Sequence, residues 1–114
     1  MAIIETMENE TVNILMTHYY KASYNQIKEC FLEILDKLEF MVIGVNDDYC
    51  EIAAEKDQMN VVAKIIMQNP KETSIDFYID VEGWFATRKA SKFISTVYAE
   101  IEKVYELKGL SLHK

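Results

Sequence analysis

Apolar and polar residues alternate along this chain with a period that switches between two and about 3.6. From Val12 the period is two. Val12, Ile14, Met16, His18 and Tyr20 fall on one side, and Asn13, Leu15, Thr17, Tyr19 and Lys21 on the other, the pattern of a half-buried strand over 11–20. From Ser23 the period is helical. Ile27, Cys30, Phe31, Ile34, Leu35 and Leu38 make an apolar stripe, while Lys28, Glu29, Glu33, Asp36 and Lys37 fill the opposite side. Ser23 and Gln26 stand three residues apart, so each side chain can satisfy a free backbone donor of the other. That capping box predicts a helix over 23–38.

Four strand-like segments follow. Phe40–Val45 is continuously apolar, so alternation does not tell which of its sides faces inward. The second segment sets Cys50, Ile52 and Ala54 against Tyr49, Glu51, Ala53 and Glu55. The third sets Val61, Ala63, Ile65 and Met67 against Asn60, Val62, Lys64, Ile66 and Gln68. The fourth sets Ile75, Phe77, Ile79 and Val81 against Ser74, Asp76, Tyr78 and Asp80. Turn-forming runs separate them: Asn46-Asp47-Asp48, Lys56-Asp57-Gln58 and Asn69-Pro70-Lys71-Glu72. Gly83 breaks the last strand. A second helix carries its stripe on Ala90, Phe93, Ile94, Val97, Tyr98, Ile101, Val104 and Tyr105, with Gly109 expected as its left-handed C-cap. Residues 1–10 are expected as a frayed start or an edge contact, and 110–114 as a tail.

Strands joined by short turns lie side by side, so the four segments from Phe40 form a meander. A strand that reaches them through a helix can cross the sheet and pair with the last of them. The expectation is an α+β two-layer sandwich, β-α-β-β-β-β-α. Its antiparallel sheet has five strands in the order 1-5-4-3-2, with two helices on one face, in one domain spanning 1–114. One strand, one helix, a four-stranded meander and a long closing helix resembles a half-repeat of the TATA-box-binding proteins. Many sequences of that arrangement carry Leu-Gly-aromatic where the first helix meets the next strand; here the step is Leu38-Glu39-Phe40. The resemblance implies a fold and no chemistry.

Charge narrows the function classes. The 114 residues carry a formal net charge of -7, which repels phosphate backbones and anionic membranes. The outward strand positions and Lys21 set two cations against Glu51, Glu55, Asp76 and Asp80. Neither nucleic acid nor membrane is the expected partner, and no apolar run reaches the roughly 20 residues a membrane span needs. Residues 1–7 include one glutamate, Glu5, and no basic stretch, unlike a signal peptide. Cys30 and Cys50 lack zinc-site spacing and read as small buried hydrophobes in a reducing, cytoplasmic setting.

Candidate chemistry is sparse. His18 is a possible general base, but no Ser or Cys motif accompanies it, and it reads as a satisfied strand histidine. His113 reads as a solvated tail residue. Asn46-Asp47-Asp48 lacks the alternating ligands and central glycine of a calcium loop and reads as a hairpin turn. Asp76 and Asp80 lie roughly 13 Å apart along one strand, too far for a glycosidase pair, and read as a solvated face. No nucleophile, metal set or cofactor motif is present, so catalysis, metal and cofactor are not expected. In Gly83-Trp84-Phe85-Ala86-Thr87-Arg88-Lys89 the two aromatics are expected to cap the end of the core. Trp84 as the anchor of a binding loop is the competing reading.

Two helices cover one face of such a sheet and leave the other open. The open face would present Leu15, Tyr19, Tyr49, Val62, Ile66 and Tyr78 among Thr17, Glu51, Lys64 and Asp76, a patch of the kind interfaces use. The expected function is a non-enzymatic interaction domain, self-associating or partner-binding through Tyr19, Tyr49, Val62, Ile66, Tyr78 and Trp84. The alternative is a small-molecule or lipid-binding domain with a pocket between the sheet and the second helix, lined by residues such as Met16, Met41, Met59 and Met67.

Overall fold

A computed structural model of the chain describes residues 2–8, 10 and 12–110. The first helix forms where its cap predicts. α1 (Tyr24–Lys37) is preceded by Ser23, whose hydroxyl accepts from Gln26 N at 3.2 Å, while Gln26 Oε1 accepts from Ser23 N at 2.9 Å. Its stripe buries Ile27, Phe31, Ile34 and Leu35. The second helix, α2 (Ala86–Glu102), buries Ala90, Phe93, Ile94, Val97, Tyr98 and Ile101.

Both helices pack on one face of an antiparallel sheet, which makes the fold α+β. Among the described residues the strands are β1 (Ala2–Glu5), β2 (His18–Tyr20), β3 (Met41–Asn46), β4 (Glu51–Lys56), β5 (Met59–Asn69), β6 (Glu72–Val81) and β7 (Leu107–Leu110). Their order is β3-β4-β5-β6-β2-β7, with β1 also paired to β6. The helix-linked crossover places β2 beside β6, and the meander β3 to β6 runs as the short turns dictate. In those turns Asn46 Oδ1 accepts from Asp48 N and Tyr49 N, and Asn69 Oδ1 accepts from Lys71 N at 2.9 Å.

The sheet has seven strands, not five, because both ends of the chain add short strands. Residues 2–5 pair with β6 from Ala2↔Val81 to Glu5↔Tyr78, while β2 takes the other half of the same edge, His18↔Ile75 to Tyr20↔Thr73. One strand edge thus has two short partners, and the chain between them must leave the sheet. The expected strand over 11–20 shrinks to His18–Tyr20, with a single 3-10 turn at Asn13–Leu15. Gly109 is not a helix cap: α2 ends at Glu102 with Lys103 as its C-cap, and Gly109 pairs with Tyr19 in β7. Cys50 sits in the β3–β4 turn with a left-handed backbone rather than inside a strand.

The core centres on Phe77 of β6, whose ring meets Phe31 of α1 at 5.8 Å and Phe93 and Tyr98 of α2 at 5.9 and 5.6 Å between centroids. That cluster ties both helices to one strand. Replacing Ser23 by Ala removes one half of the capping box. It should cost about 1 kcal/mol, read as a lower urea midpoint at unchanged denaturant slope.

Candidate functional site

The outward face of β6 is where the detour of the chain leaves its mark. Thr6 follows β1, and Thr17 precedes β2. Thr6 Oγ1 donates to Asp76 Oδ1 at 2.6 Å, and Thr17 Oγ1 lies 2.9 Å from each Asp76 oxygen. The Thr6 hydroxyl also accepts from Phe77 N at 2.8 Å, standing in for a ladder carbonyl. Across the base of the loop, Met7 N donates to Leu15 O at 2.9 Å and Thr17 N to Met7 O at 3.2 Å. Asp76 is therefore a half-buried clamp and not a solvated strand carboxylate. Burial raises its pKa above the usual carboxylate value, the bonds from Thr6 and Thr17 act the other way, and the charges of Glu8 and Glu5 raise it further. Its register partner on β5, Lys64, makes its ion pair with Glu51 at 3.9 Å. A groove of about 470 Å³ runs above these residues, bounded by Glu5, Thr6, Glu51, Val62, Lys64 and Tyr78.

Behind the clamp lies His18. It is buried, and its ring stacks on Tyr98 with 3.4 Å between centroids and 9° between planes. Nδ1 donates to the Met16 carbonyl at 2.8 Å, which leaves Nε2 as the unprotonated nitrogen of a neutral ring. Burial lowers its pKa to about 4, against the opposing effect of the Met16 carbonyl. Burial also pushes the Tyr98 hydroxyl up, and the nearby Asp76 charge adds to this. The neighbouring Tyr20 hydroxyl donates to Glu102 at 2.8 Å. A stacked, neutral, enclosed imidazole is a structural group, in keeping with the reading of a satisfied strand histidine.

The expected binding residues divide three ways. Val62 and Tyr78 are direct register partners on the open face, and Ile66 lies further along the same strand as Val62. Tyr78 and Ile66 are exposed. Tyr49 is exposed but belongs to the turn, two residues before the register of β4 begins at Glu51. Tyr19 departs from expectation: it is only 5% exposed, and its hydroxyl donates to Glu8 of the loop. Leu15 and Thr17 are likewise withdrawn, Leu15 packed against the core and Thr17 buried at the clamp. His113 lies outside the described residues.

Trp84 and Phe85 do not cap the core. Trp84 is 85% exposed, and Phe85, with a left-handed φ of 60°, stands in solvent beneath the Arg88 guanidinium at 5.3 Å. The turn that exposes them needs Gly83: its φ is 96°, and an added Cβ would fall 2.5 Å from Gln58 Oε1.

The largest surprise is β3. Alternation does not set its inward side, and all six residues are exposed, Met41 to 66% and Ile43 to 58%. Val42 and Val45 pair with the buried Ala54 and Ile52 and so share the helix-side face, yet they too are exposed. The helix layer covers this last strand only in part: α1 reaches it but leaves Val42 and Val45 open to solvent. A continuous apolar run with no alternation was the available signal for a strand without a clear inside.

Among the described residues no cluster of three metal-ligating side chains exists, and no helix is long and apolar enough to cross a membrane. Comparison with known proteins finds no matching family model, curated protein or solved structure.

The buried imidazole makes stability depend on pH. The folded pKa of His18 lies below its unfolded value, so its contribution is complete above about pH 6.5 and is lost as pH falls towards 4. Asp76 acts in the opposite sense, because a raised carboxylate pKa means the folded state holds the proton more tightly. His18→Phe keeps an aromatic on Tyr98 and removes the titration. The wild type should lose about 3 kcal/mol relative to this variant between pH 7 and pH 4, measured by urea unfolding at each pH.

Proposed function

We propose that the protein is a non-enzymatic interaction domain that self-associates through the exposed end of its sheet, with two copies pairing β3 to β3. The observation that carries this reading is the state of Met41–Asn46: six exposed residues, five of them Met, Val, Ile, Gly and Val, and none charged. Strand edges of this kind are ordinarily short, charged or covered. The opposite end of this sheet follows that rule, since β7 has four residues and carries Lys108, paired with Glu72. The irregular register at Val42–Gly44 bends β3 but brings no charge to it.

A second copy suits this edge for a physical reason. Each chain carries a formal charge of -7, so copies repel over most of their surface. Around a two-fold axis through β3, uncharged residues meet uncharged residues and each strand supplies the free backbone groups the other needs. The exposed Ile66 and Tyr78 on the outward face, with Tyr49 at the turn, extend the same apolar territory. The likeness to the TATA-box-binding half-repeat is kept as one of element order and adds no nucleic-acid role, since Glu51, Glu55, Asp76 and Asp80 outnumber Lys64 on that face. A reducing cytoplasmic setting belongs to the same reading, with Cys30 and Cys50 as free thiols.

Light scattering across a wide range of concentrations should give the mass of a dimer. Ile43→Lys and Val45→Lys should each return a folded monomer, judged by unchanged circular dichroism. Tyr78→Glu separates the edge from the face, because edge pairing keeps the dimer and face-to-face packing loses it. A wild-type monomer at every concentration, or a dimer that survives both lysines, refutes the proposal.

A further inference from the structure

At the far end of α2 from the His18 stack, the helix stands off the sheet and leaves a cavity of about 300 Å³, at the lower end of the range for small-molecule sites. Its floor is apolar: Leu38, Phe40, Met59, Val81 and Phe93. Phe40 and Phe93 lie against each other at 4.9 Å between centroids, so the floor is a built aromatic surface. Its mouth carries Lys56, Lys89 and Lys92, with Asp57 and Glu82 beside them.

The cations of this protein are distributed unevenly with respect to partners. Lys21, Lys28, Lys37, Lys64, Lys103 and Lys108 each meet a carboxylate within 4 Å. Among the described residues, Lys56, Arg88, Lys89 and Lys92 do not, and all four lie at or next to this cavity; of the remaining cations only Lys71 shares that state. Acids are abundant in the chain, 19 against 12 basic residues, so partners for these lysines were available. Lys56 is already committed, donating to the Leu38 carbonyl at 2.7 Å beside the Phe40 ring. Lys89 and Lys92 stand one helical turn apart on the same side of α2, near its positive end, where cations are disfavoured. Neither has a charge partner to offset that cost.

We infer that this cavity binds a small single-chain anionic amphiphile of the fatty-acid type, its tail against Phe40, Met59 and Phe93 and its carboxylate between Lys89 and Lys92. The small volume selects a short chain, and the paired ammonium groups select an anion over a neutral head. Asp57 and Glu82 at the rim repel a second charged group, which favours one carboxylate over a polyanion. This site is separate from β3, and its test does not depend on self-association.

The test is calorimetric titration of the whole protein with octanoate, 1-octanol and acetate, all below micelle-forming concentrations. Octanoate should bind at one site, 1-octanol at least about tenfold more weakly, and acetate without measurable heat, since charge-assisted bonds and tail burial are both needed. Lys89→Gln combined with Lys92→Gln changes only exposed side chains. It should weaken octanoate about tenfold, to the level of 1-octanol, and leave 1-octanol unchanged. Absence of octanoate binding, equal binding by the double variant, or equal heat from acetate overturns the inference. So does preferential binding to vesicles containing phosphatidylglycerol, which would make the lysines a membrane contact.

Discussion

The structure depends on how the free edge of β6 is filled. On one side β6 pairs with β5 along nearly its whole length; on the other, two short strands from one segment of chain share the edge. Two strands cannot meet there without a gap, and the chain between them must go out and return. Asp76 stands opposite that gap. Its carboxylate accepts from the threonines on both sides, so one outward side chain pins both ends of the loop to the middle of the sheet. On the other face of the same strand, Phe77 collects the rings of both helices. Two neighbouring residues thus tie the loop, the sheet and the helix layer together. The arrangement takes a partly buried carboxylate out of water, and hydroxyl donors from two sides offset that cost.

From that centre the molecule becomes less covered towards both ends. Near β6 the helices bury every inward residue, and the loop shelters part of the outward face, closing over Tyr19. At β3 the helix layer thins to a partial contact from α1, and the apolar residues of the strand stay exposed on both faces. At the start of α2 the turn through Gly83 turns Trp84 and Phe85 outward. Between these two bare regions lies the lysine-rimmed cavity. The proposed binding sites therefore gather where the two-layer architecture leaves surfaces open, and the well-packed middle holds the His18–Tyr98 stack.

Much of the architecture was legible in the chain. The capping box of Ser23 and Gln26, the period-two strands and the short polar turns each act over a few residues, and each formed where expected. The strand order followed because short turns force neighbours and a helix permits a crossover. The alternation from Val12 to Tyr20 misled because period two records only which side chains can share a side. It does not say whether an edge is free to accept them, and β1 had already taken the half of β6 that 12–17 would need. Gly109 misled because the helix ends earlier, at Glu102, and the residue pairs with Tyr19 in β7, with open space where a side chain would stand.

The sequence by itself determined the two helices, the meander from β3 to β6 and the inward side of β4, β5 and β6, because propensity, capping and periodicity are set by neighbours along the chain. Only the tertiary structure decided the fate of individual outward residues. Tyr19 and Asp76 carry the same outward signature as Tyr78, yet they are withdrawn while Tyr78 is exposed, because a loop from elsewhere in the chain covers them. Trp84, Met41 and Ile43 are large and apolar yet stand in solvent, because no packed layer closes over them. Burial is a property of what arrives from a distance, and that information is not held in local pattern.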